Sequence, residues 1–334
     1  MGPTCHAPAK IAGRDARGLH GRAVAAAPPS IAPVRAPFTE TAVSWRPADP
    51  PRRPVLLVNS RSGDGTAART RLVEAARDRG IDVIVPSPGE SFSALVRDAV
   101  EDGADALGVA GGDGSLALVA EVASQEDLPF VCVPAGTRNH FARDLDIDSD
   151  DPIGALEAFS EGLERRIDLG EVNGRVFLNN VSLGVYGDAV REPTYRDAKA
   201  RTLLEATNRV VGPSAILPDL HLLDDQGRQH RHPAVVLVSN NPYTLTPPLA
   251  GTRSTLDSGR LGIIVLEVPG RTASAPGHAW SARSFAVDSS GPLHAGIDGE
   301  SMDLAPPLLF VSRPAALRVR VSSRGQGVPR PRGR

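Results

Sequence analysis

The chain reads as a two-domain protein of the α/β plus β class, with an N-terminal parallel α/β sheet domain and a C-terminal antiparallel β-sandwich domain. Three observations predict this. Residues 54–170 alternate short apolar runs with helical periodicity, the pattern that builds a parallel sheet covered on both faces. From about Arg165 the rhythm changes to short strands separated by Gly, Pro and Ser turns, as in mostly antiparallel β domains. With 334 residues, 41% of them hydrophobic and 23% charged, the chain has enough material for two soluble cores.

The elements follow in order. Apolar runs at 55–58, 81–85, 106–110 and 130–133 are predicted as strands, each with a helical pattern after it: 67–79, 92–101, 115–124 and, beyond a loop, 152–161. Ligands of such sheets bind at the carboxyl ends of the strands, where Asn59, Gly111 and Pro134 fall. Residues 168–172 and 175–178 flank Asn173-Gly174, a hairpin signal. Further strands are expected at 234–239, 261–268, 284–287, 308–311 and 317–321, with one helical stretch at 195–211 between them. The division is therefore 1–53 as a disordered tail, 54–165 as an α/β domain, 166–321 as a β-rich domain, and 322–334 as a second tail.

Composition narrows the function. Net charge is −2, with eight basic side chains in residues 1–53 against Asp15, Glu40 and Asp49, so a nucleic-acid partner is not expected. Lys10 and Lys199 are the two lysines, which excludes a Walker A loop and a protein-kinase fold, since each needs a lysine beside its glycines. Any phosphate site must rely on backbone amides, arginine and metal. Cys5 and Cys132 make an unlikely disulfide pair, which fits a reducing cytoplasm. No apolar run reaches the roughly 18 residues of a membrane span. Residues 23–34 imitate a secretory signal but are broken by Pro28, Pro29 and Pro33, so a disordered extension or a start codon placed too far upstream is expected.

Gly111-Gly112-Asp113-Gly114-Ser115 puts a carboxylate inside a turn almost free of side chains, directly after an apolar run. Glycines let a backbone approach a polyphosphate, amides at a helix start point at the anion, and Asp113 can hold a bridging cation. A plain tight turn is the alternative. Asn59-Ser60-Arg61-Ser62-Gly63 can offer an amide, hydroxyls and N–H groups, as can any surface turn. In Pro134-Ala135-Gly136-Thr137-Arg138-Asn139, Thr137 and Asn139 can bond phosphate or ribose, while Arg138 and Arg143 are either counter-charges or surface cations. Asn179-Asn180-Val181-Ser182-Leu183-Gly184 carries too many amides for an ordinary strand, and lines a cleft or caps a turn. Asp298-Gly299-Glu300 offers two carboxylates for metal or general-base work, or is a hairpin turn.

In order, NSRSG at 59–63, GGDGS at 111–115, PAGTRNHFARDL at 134–145, NNVSLGVYGDAV at 179–190, TLDSGRLGIIVL at 255–266 and GIDGE at 296–300 resemble the diacylglycerol kinase catalytic-domain family, which includes bacterial lipid kinases and sphingosine kinases. GGDG alone is shared with NAD kinases, which have the same first-domain architecture; the ordered series is more specific. The resemblance covers about residues 54–321 and implies a kinase using ATP and Mg²⁺. It implies ATP contacts at Asn59, Ser62, Ser87, Gly111, Gly112, Asp113, Gly114, Ser115, Gly136, Thr137 and Asn139, with Asp113 beside the catalytic Mg²⁺. It also implies Glu300 as the general base, Asp298 as its acidic companion, and a structural Mg²⁺ near Thr255, Ser258 and Arg260. The chain departs from the family pattern at Arg138 and His140, where many members have Gly and Asp, and at Ser258, where bacterial members often have Asp.

The resulting expectation is an ATP-dependent lipid kinase acting on diacylglycerol or a related lipid at the membrane surface, cytoplasmic or peripheral to the inner face of the membrane, without a membrane span. NAD kinase and a non-catalytic nucleotide or lipid sensor are the alternatives. Oligomeric state stays open, a homodimer included. His230 and His232 are expected on an exposed strand edge rather than at a metal. The 195–211 stretch, with Leu203, Leu204, Val210 and Val211 among basic residues, is expected to pack on the β domain, with a membrane-touching lid as the alternative.

Overall fold

The computed structural model describes residues 44–59, 66–87, 89–137, 139–184, 217, 219–245, 251–267 and 277–324. A first strand, β1 (Arg46–Ala48), precedes the alternating unit β2 (Pro54–Val58), α1 (Thr66–Arg77), β3 (Asp82–Ile84), α2 (Phe92–Glu101), β4 (Ala106–Gly111), α3 (Asp113–Gln125) and β5 (Pro129–Pro134). These four later strands pair in parallel in the order β3-β2-β4-β5. Successive residues of a strand point to opposite faces, and the core divides accordingly. Val55, Leu57, Leu107, Val109, Phe130 and Cys132 join α2 and α3 on one face, while Leu56, Val58, Ala106, Ala110, Val131 and Val133 join α1 on the other. Burial on both faces is why β2, β4 and β5 are unbroken apolar runs, while the edge strand β3 is partly exposed.

After β5 come α4 (His140–Asp144), a 3₁₀ turn (Gly154–Phe159), β6 (Gly162–Val172), β7 (Arg175–Phe177) and β8 (Asn180–Gly184). The chain continues with β9 (Leu220–Leu223), β10 (Gln229–Arg231), β11 (Val235–Asn240), β12 (Leu261–Leu266), β13 (Gly277–Ala282), β14 (Ser284–Ser289), β15 (Leu293–Ile297), β16 (Glu300–Leu304) and β17 (Leu308–Ser322). A six-stranded antiparallel sheet has the order β13-β12-β11-β8-β15-β16. Its inner face (Val181, Leu183, Val236, Ile263, Ala295) packs on Leu220, Phe285, Val287 and Phe310 from β9, β14 and β17. Those strands belong to the first sheet, which β17 extends, so the expected β-sandwich forms between the two sheets. Among the described residues, no helix is long and apolar enough to cross a membrane.

Several expectations change. Residues 308–311 and 317–321 form one strand rather than two, with a register shift between Arg313 and Leu317. Pro314 lacks an N–H and Ala315 takes φ 52°, which breaks the sequence pattern but not the strand. The lower half of β17 pairs in parallel with β5, so the end of the chain returns to the first sheet. The amide-rich 179–184 segment contains a central strand, β8, between β11 and β15, with Asn180 Nδ2 bonded to the Tyr243 hydroxyl at 3.0 Å. The helix expected at 152–161 is a short 3₁₀ turn.

Residues 46–48, which the sequence division places before the first domain, form β1, which pairs with Gly162–Glu164 of β6, and Arg165 stacks over Trp45 at 4.7 Å. Ser322 closes β17 and Ser323 donates to the Glu161 carbonyl at 2.9 Å. The 195–211 helix lies outside the described residues.

Arg320 anchors this corner. Fully buried in β17, it donates to the carbonyls of Ala158 (2.6 Å), Asp49 (2.7 Å) and Ala48 (2.9 Å). Replacing it by Met leaves these acceptors unpaired, so Arg320→Met is expected to cost about 3 kcal/mol, read as a lower urea midpoint with an unchanged slope.

Candidate active site

The end of β4 leads directly into α3, with Gly112 as the N-cap residue and no side-chain cap. The first-turn N–H groups of a helix have no acceptor within it, so this turn presents amides and the positive end of the helix dipole. The loop after β5 lies against it: a Cβ on Gly136 would stand 2.6 Å from the Gly112 Cα, a close approach only glycine permits. Asn139, buried and at φ 48°, accepts the Gly136 N–H at 2.9 Å and fixes that loop. At the end of β2, the Asn59 N–H donates to Ala110 at 2.9 Å and its Nδ2 to the Ser115 Oγ at 2.6 Å. The structure therefore brings Asn59, Gly111, Gly112, Gly114, Ser115, Gly136 and Asn139 together, with Thr137 exposed on the same turn. Ser87 bonds Glu90 in its own loop. Ser62 and Arg138 lie outside the described residues.

Three acids meet here in three environments. Asp113, largely buried, accepts from the Phe141 N–H at 3.3 Å and faces His140 Nδ1 at 3.3 Å. Burial alone would raise its carboxyl; His140, the Phe141 amide and Asn179 outweigh burial and hold it below the ordinary value. Asp298 and Gly299, at φ 47° and 88°, form the two-residue turn between β15 and β16, so the Asp-Gly pair is both a hairpin turn and part of the site. The Asp298 carboxylate accepts the N–H groups of Leu178 (2.7 Å), Asn179 (2.8 Å) and Asn180 (3.1 Å). Burial nevertheless pushes its carboxyl up to about 7, with the Asp113 charge adding to the rise against those donors. Glu300, the next residue but one, is exposed, and its carboxylate lies so close to Gly114 that a Cβ there would collide with it.

Sequence reasoning missed Arg253. Its fully buried guanidinium binds Asp144 Oδ2 through both Nε (2.8 Å) and Nη2 (2.5 Å), and donates to the Leu178 carbonyl (2.6 Å), the Asn240 carbonyl (2.9 Å) and Asn179 Oδ1 (2.9 Å). It joins the end of α4 to the segment before β8 and the end of β11. A lone arginine in a loop carries no periodicity; the one available signal was Asn240-Asn241 after an apolar strand. Asn241 organises the 255–260 loop, where its Oδ1 accepts the Ser258 N–H at 2.8 Å and Oγ at 2.5 Å, and its N–H reaches the Arg260 carbonyl at 3.2 Å. Thr255 Oγ1 bonds the Asp257 carboxylate. Both oxygens of buried Asp168 accept backbone N–H groups, from Ala315 at 2.9 Å and Gly259 at 2.6 Å.

His230, expected on an exposed edge, is buried between Glu267 (2.7 Å) and Asp224 (3.2 Å). Its acidic partners are distant in sequence or on the preceding turn, which no short spacing reveals. His232 is exposed, as expected.

Removing one partner of a buried ion pair costs about 3–5 kcal/mol. Arg253→Met is therefore expected to destabilise by that amount in urea unfolding, and adding Asp144→Asn should recover part of it. For Asp298, the folded-state value lies above the ordinary 3.8, so the folded chain binds the extra proton. Its contribution to stability is full below 3.8 and is lost as pH rises through about 7. Unfolding free energy measured across that window should fall more steeply in the wild type than in Asp298→Asn.

The family profile "Diacylglycerol kinase catalytic domain" matches residues 53–172. "Probable lipid kinase YegS-like" of Pseudomonas fluorescens is 30% identical over 298 residues, 80% of this chain and 95% of that protein. "Diacylglycerol kinase" of Mycobacterium tuberculosis is 35% identical over 120 residues, 35% of this chain and 39% of that protein. The crystal structure of a diacylglycerol kinase from Bacillus anthracis superimposes with a TM-score of 0.59 at 16% identity, covering 82% of this chain and 98% of that one, a likeness of fold. With this match along nearly the whole length of a curated relative, the chain belongs to the diacylglycerol kinase catalytic-domain family.

Proposed function

We propose that the chain is an ATP-dependent lipid kinase that transfers the γ-phosphoryl group of Mg-ATP to a hydroxyl of diacylglycerol or a related lipid. One observation carries this reading: the exposed Glu300 carboxylate rests against Gly114, inside the glycine turn that opens α3. Residues separated by almost the whole β-rich half thus form one site, with a base beside a phosphate cradle.

The triphosphate lies on the amides of residues 111–115, with Asn59, Ser62, Ser87, Gly136, Thr137 and Asn139 as further nucleotide contacts. Phosphoryl transfer needs in-line positioning, charge neutralisation and an oriented hydroxyl rather than covalent chemistry from the protein. The residues present fit a hard divalent cation: Asp113 supplies carboxylate oxygens and is held ionised. Bound there, Mg²⁺ would neutralise charge on the phosphate oxygens, a task two lysines cannot perform. In the 255–260 loop, the Thr255 and Ser258 hydroxyls and the Arg260 carbonyl bond protein partners, and no step of the reaction is assigned to a metal there.

Glu300 accepts the lipid hydroxyl proton; its exposure lets an acceptor reach it. Asp298, gripped by three amides, fixes the turn that presents Glu300. In this reading residues 54–165 bind the nucleotide, residues 166–321 complete the site, and the chain meets its lipid by surface contact from the cytoplasmic side.

Glu300→Gln is expected to lower transfer to lipid by roughly 10²–10⁴-fold while ATP affinity stays within about twofold. Wild-type turnover in this variant would remove the general-base role. Gly114→Ala tests the contact itself: its methyl group displaces the flexible Glu300 carboxylate, so kcat should fall about 10²-fold with an unchanged thermal midpoint.

A further inference from the structure

We propose a second reactive centre, separate from the phosphoryl-transfer acids, in which Ser301, His294 and Asp303 form a nucleophilic triad on the outer face of the β15–β16 hairpin and cleave carboxylic esters by acyl transfer. Leu293, Ala295, Ile297 and Leu304 of this hairpin join the sandwich core, and Met302 packs against it. Successive side chains of a strand alternate between faces, so His294, Ser301 and Asp303 share the opposite face. Glu300 has the parity of Met302 and reaches Gly114 instead. The two centres therefore use different sides of one hairpin.

The register of the hairpin brings the three side chains together. His294 lies directly opposite Asp303, and Gly296 opposite Ser301. The two-residue Asp298-Gly299 turn is closed by the pair Ile297 and Glu300; counting alternately from that hydrogen-bonded pair, the Gly296–Ser301 and His294–Asp303 pairs lack ladder hydrogen bonds, and in such pairs side chains stand closest. His294 Nδ1 lies 2.8 Å from Asp303 Oδ1, and His294 Nε2 is hydrogen-bonded to the Ser301 Oγ. Each ring nitrogen thus has one partner, and the two partners differ in kind. A carboxylate only accepts, so the Nδ1 proton faces Asp303 and Nε2 is left to take the proton of Ser301, which is the order of roles in a serine–histidine–aspartate triad. The imidazole is held with 17% of its side chain exposed, while Ser301 is exposed. The base is fixed and the nucleophile can be reached.

The backbone supplies the remaining part. β16 is the last strand of its sheet, so Ser301 and Asp303, in pairs without ladder bonds, turn their N–H groups to the free edge. The Ser301 N–H stands beside its own Oγ and can donate to an oxyanion formed there. In the reaction Ser301 Oγ attacks the carbonyl carbon of an ester while His294 Nε2 takes the hydroxyl proton. The Oγ–C bond forms, the bond from that carbon to the alcohol oxygen breaks, and the alcohol leaves with the proton held on Nε2. Water, deprotonated by the same nitrogen, then attacks the acyl-serine and releases a carboxylic acid and free Ser301. Water is the single co-reactant. An open surface with one oxyanion donor suits a small ester with a good leaving group.

The full-length chain is treated with a fluorophosphonate probe and mapped by peptide mass spectrometry, and hydrolysis of para-nitrophenyl acetate is followed by release of nitrophenolate. The wild type is expected to carry the label on Ser301. Ser301→Ala should lose the label, and both Ser301→Ala and His294→Gln should slow ester hydrolysis by roughly 10²–10⁴-fold. Asp303, with 75% of its side chain exposed, shares the histidine with water, so Asp303→Asn should slow hydrolysis by less than His294→Gln does. All three positions are on the outer face, so the thermal midpoint should be preserved. In Ser301→Cys the thiol takes the place of the hydroxyl, and it should react with iodoacetamide about tenfold faster than the thiol of Ser301→Cys/His294→Gln, because the imidazole favours the thiolate. Absence of label on Ser301, or hydrolysis unchanged in Ser301→Ala, would overturn the proposal. So would equal alkylation rates in the two cysteine variants. No outcome depends on lipid phosphorylation, so this centre and the kinase reading stand or fall separately.

Discussion

A guanidinium with no access to water holds the two halves of the candidate site in register. Arg253 must keep every donor paired, because an uncompensated buried charge costs several kcal/mol. It does so with Asp144 on one side and the Leu178 and Asn240 carbonyls and Asn179 Oδ1 on the other. Asp144 ends the helix that begins beside the Asn139 loop, while Leu178, Asn179 and Asn180 are the residues whose amides grip Asp298. The distance between the glycine turn of the first sheet and the hairpin carrying Glu300 is thus set by one ion-pair network and one triple-amide cradle.

The same frame gives three carboxyls different characters. Asp113, against His140 and a backbone amide, favours the charged form suited to a cation. Asp298, buried and close to that charge, is pushed the opposite way, to about 7. Glu300 stands in the open. Environments that separate neighbouring acids are how one site divides positioning from proton transfer. His140 stands where many family members have an acid, and here it is a direct partner of Asp113, so the departure alters the charge around the turn without altering the turn itself.

Much of this was legible in the sequence for physical reasons. β2, β4 and β5 are buried on both faces and must be apolar throughout, so they stand out as runs; α2 follows Ser91, whose hydroxyl accepts the Ala94 N–H and caps it. The glycine turn announces itself because no side chain fits between Gly112 and Gly136. What was missed depends on tertiary partners. β8 hid behind asparagines: Asn180 Nδ2 bonds the Tyr243 hydroxyl, and the Oδ1 of Asn179, just before the strand, accepts from Arg253. β17 was split at Pro314 because a bulge held by Asp168 cannot be read from β-propensity. Arg253 and the partners of His230 are single residues that gain meaning only once the sheets are assembled.

Transfer of label from [γ-³²P]ATP to a total lipid extract, with NAD offered in parallel, tests the central claim most directly. A lipid kinase with this site puts the label into an extractable lipid phosphate and leaves NAD unchanged. Formation of NADP, or wild-type protein that labels no lipid in the extract, would contradict it.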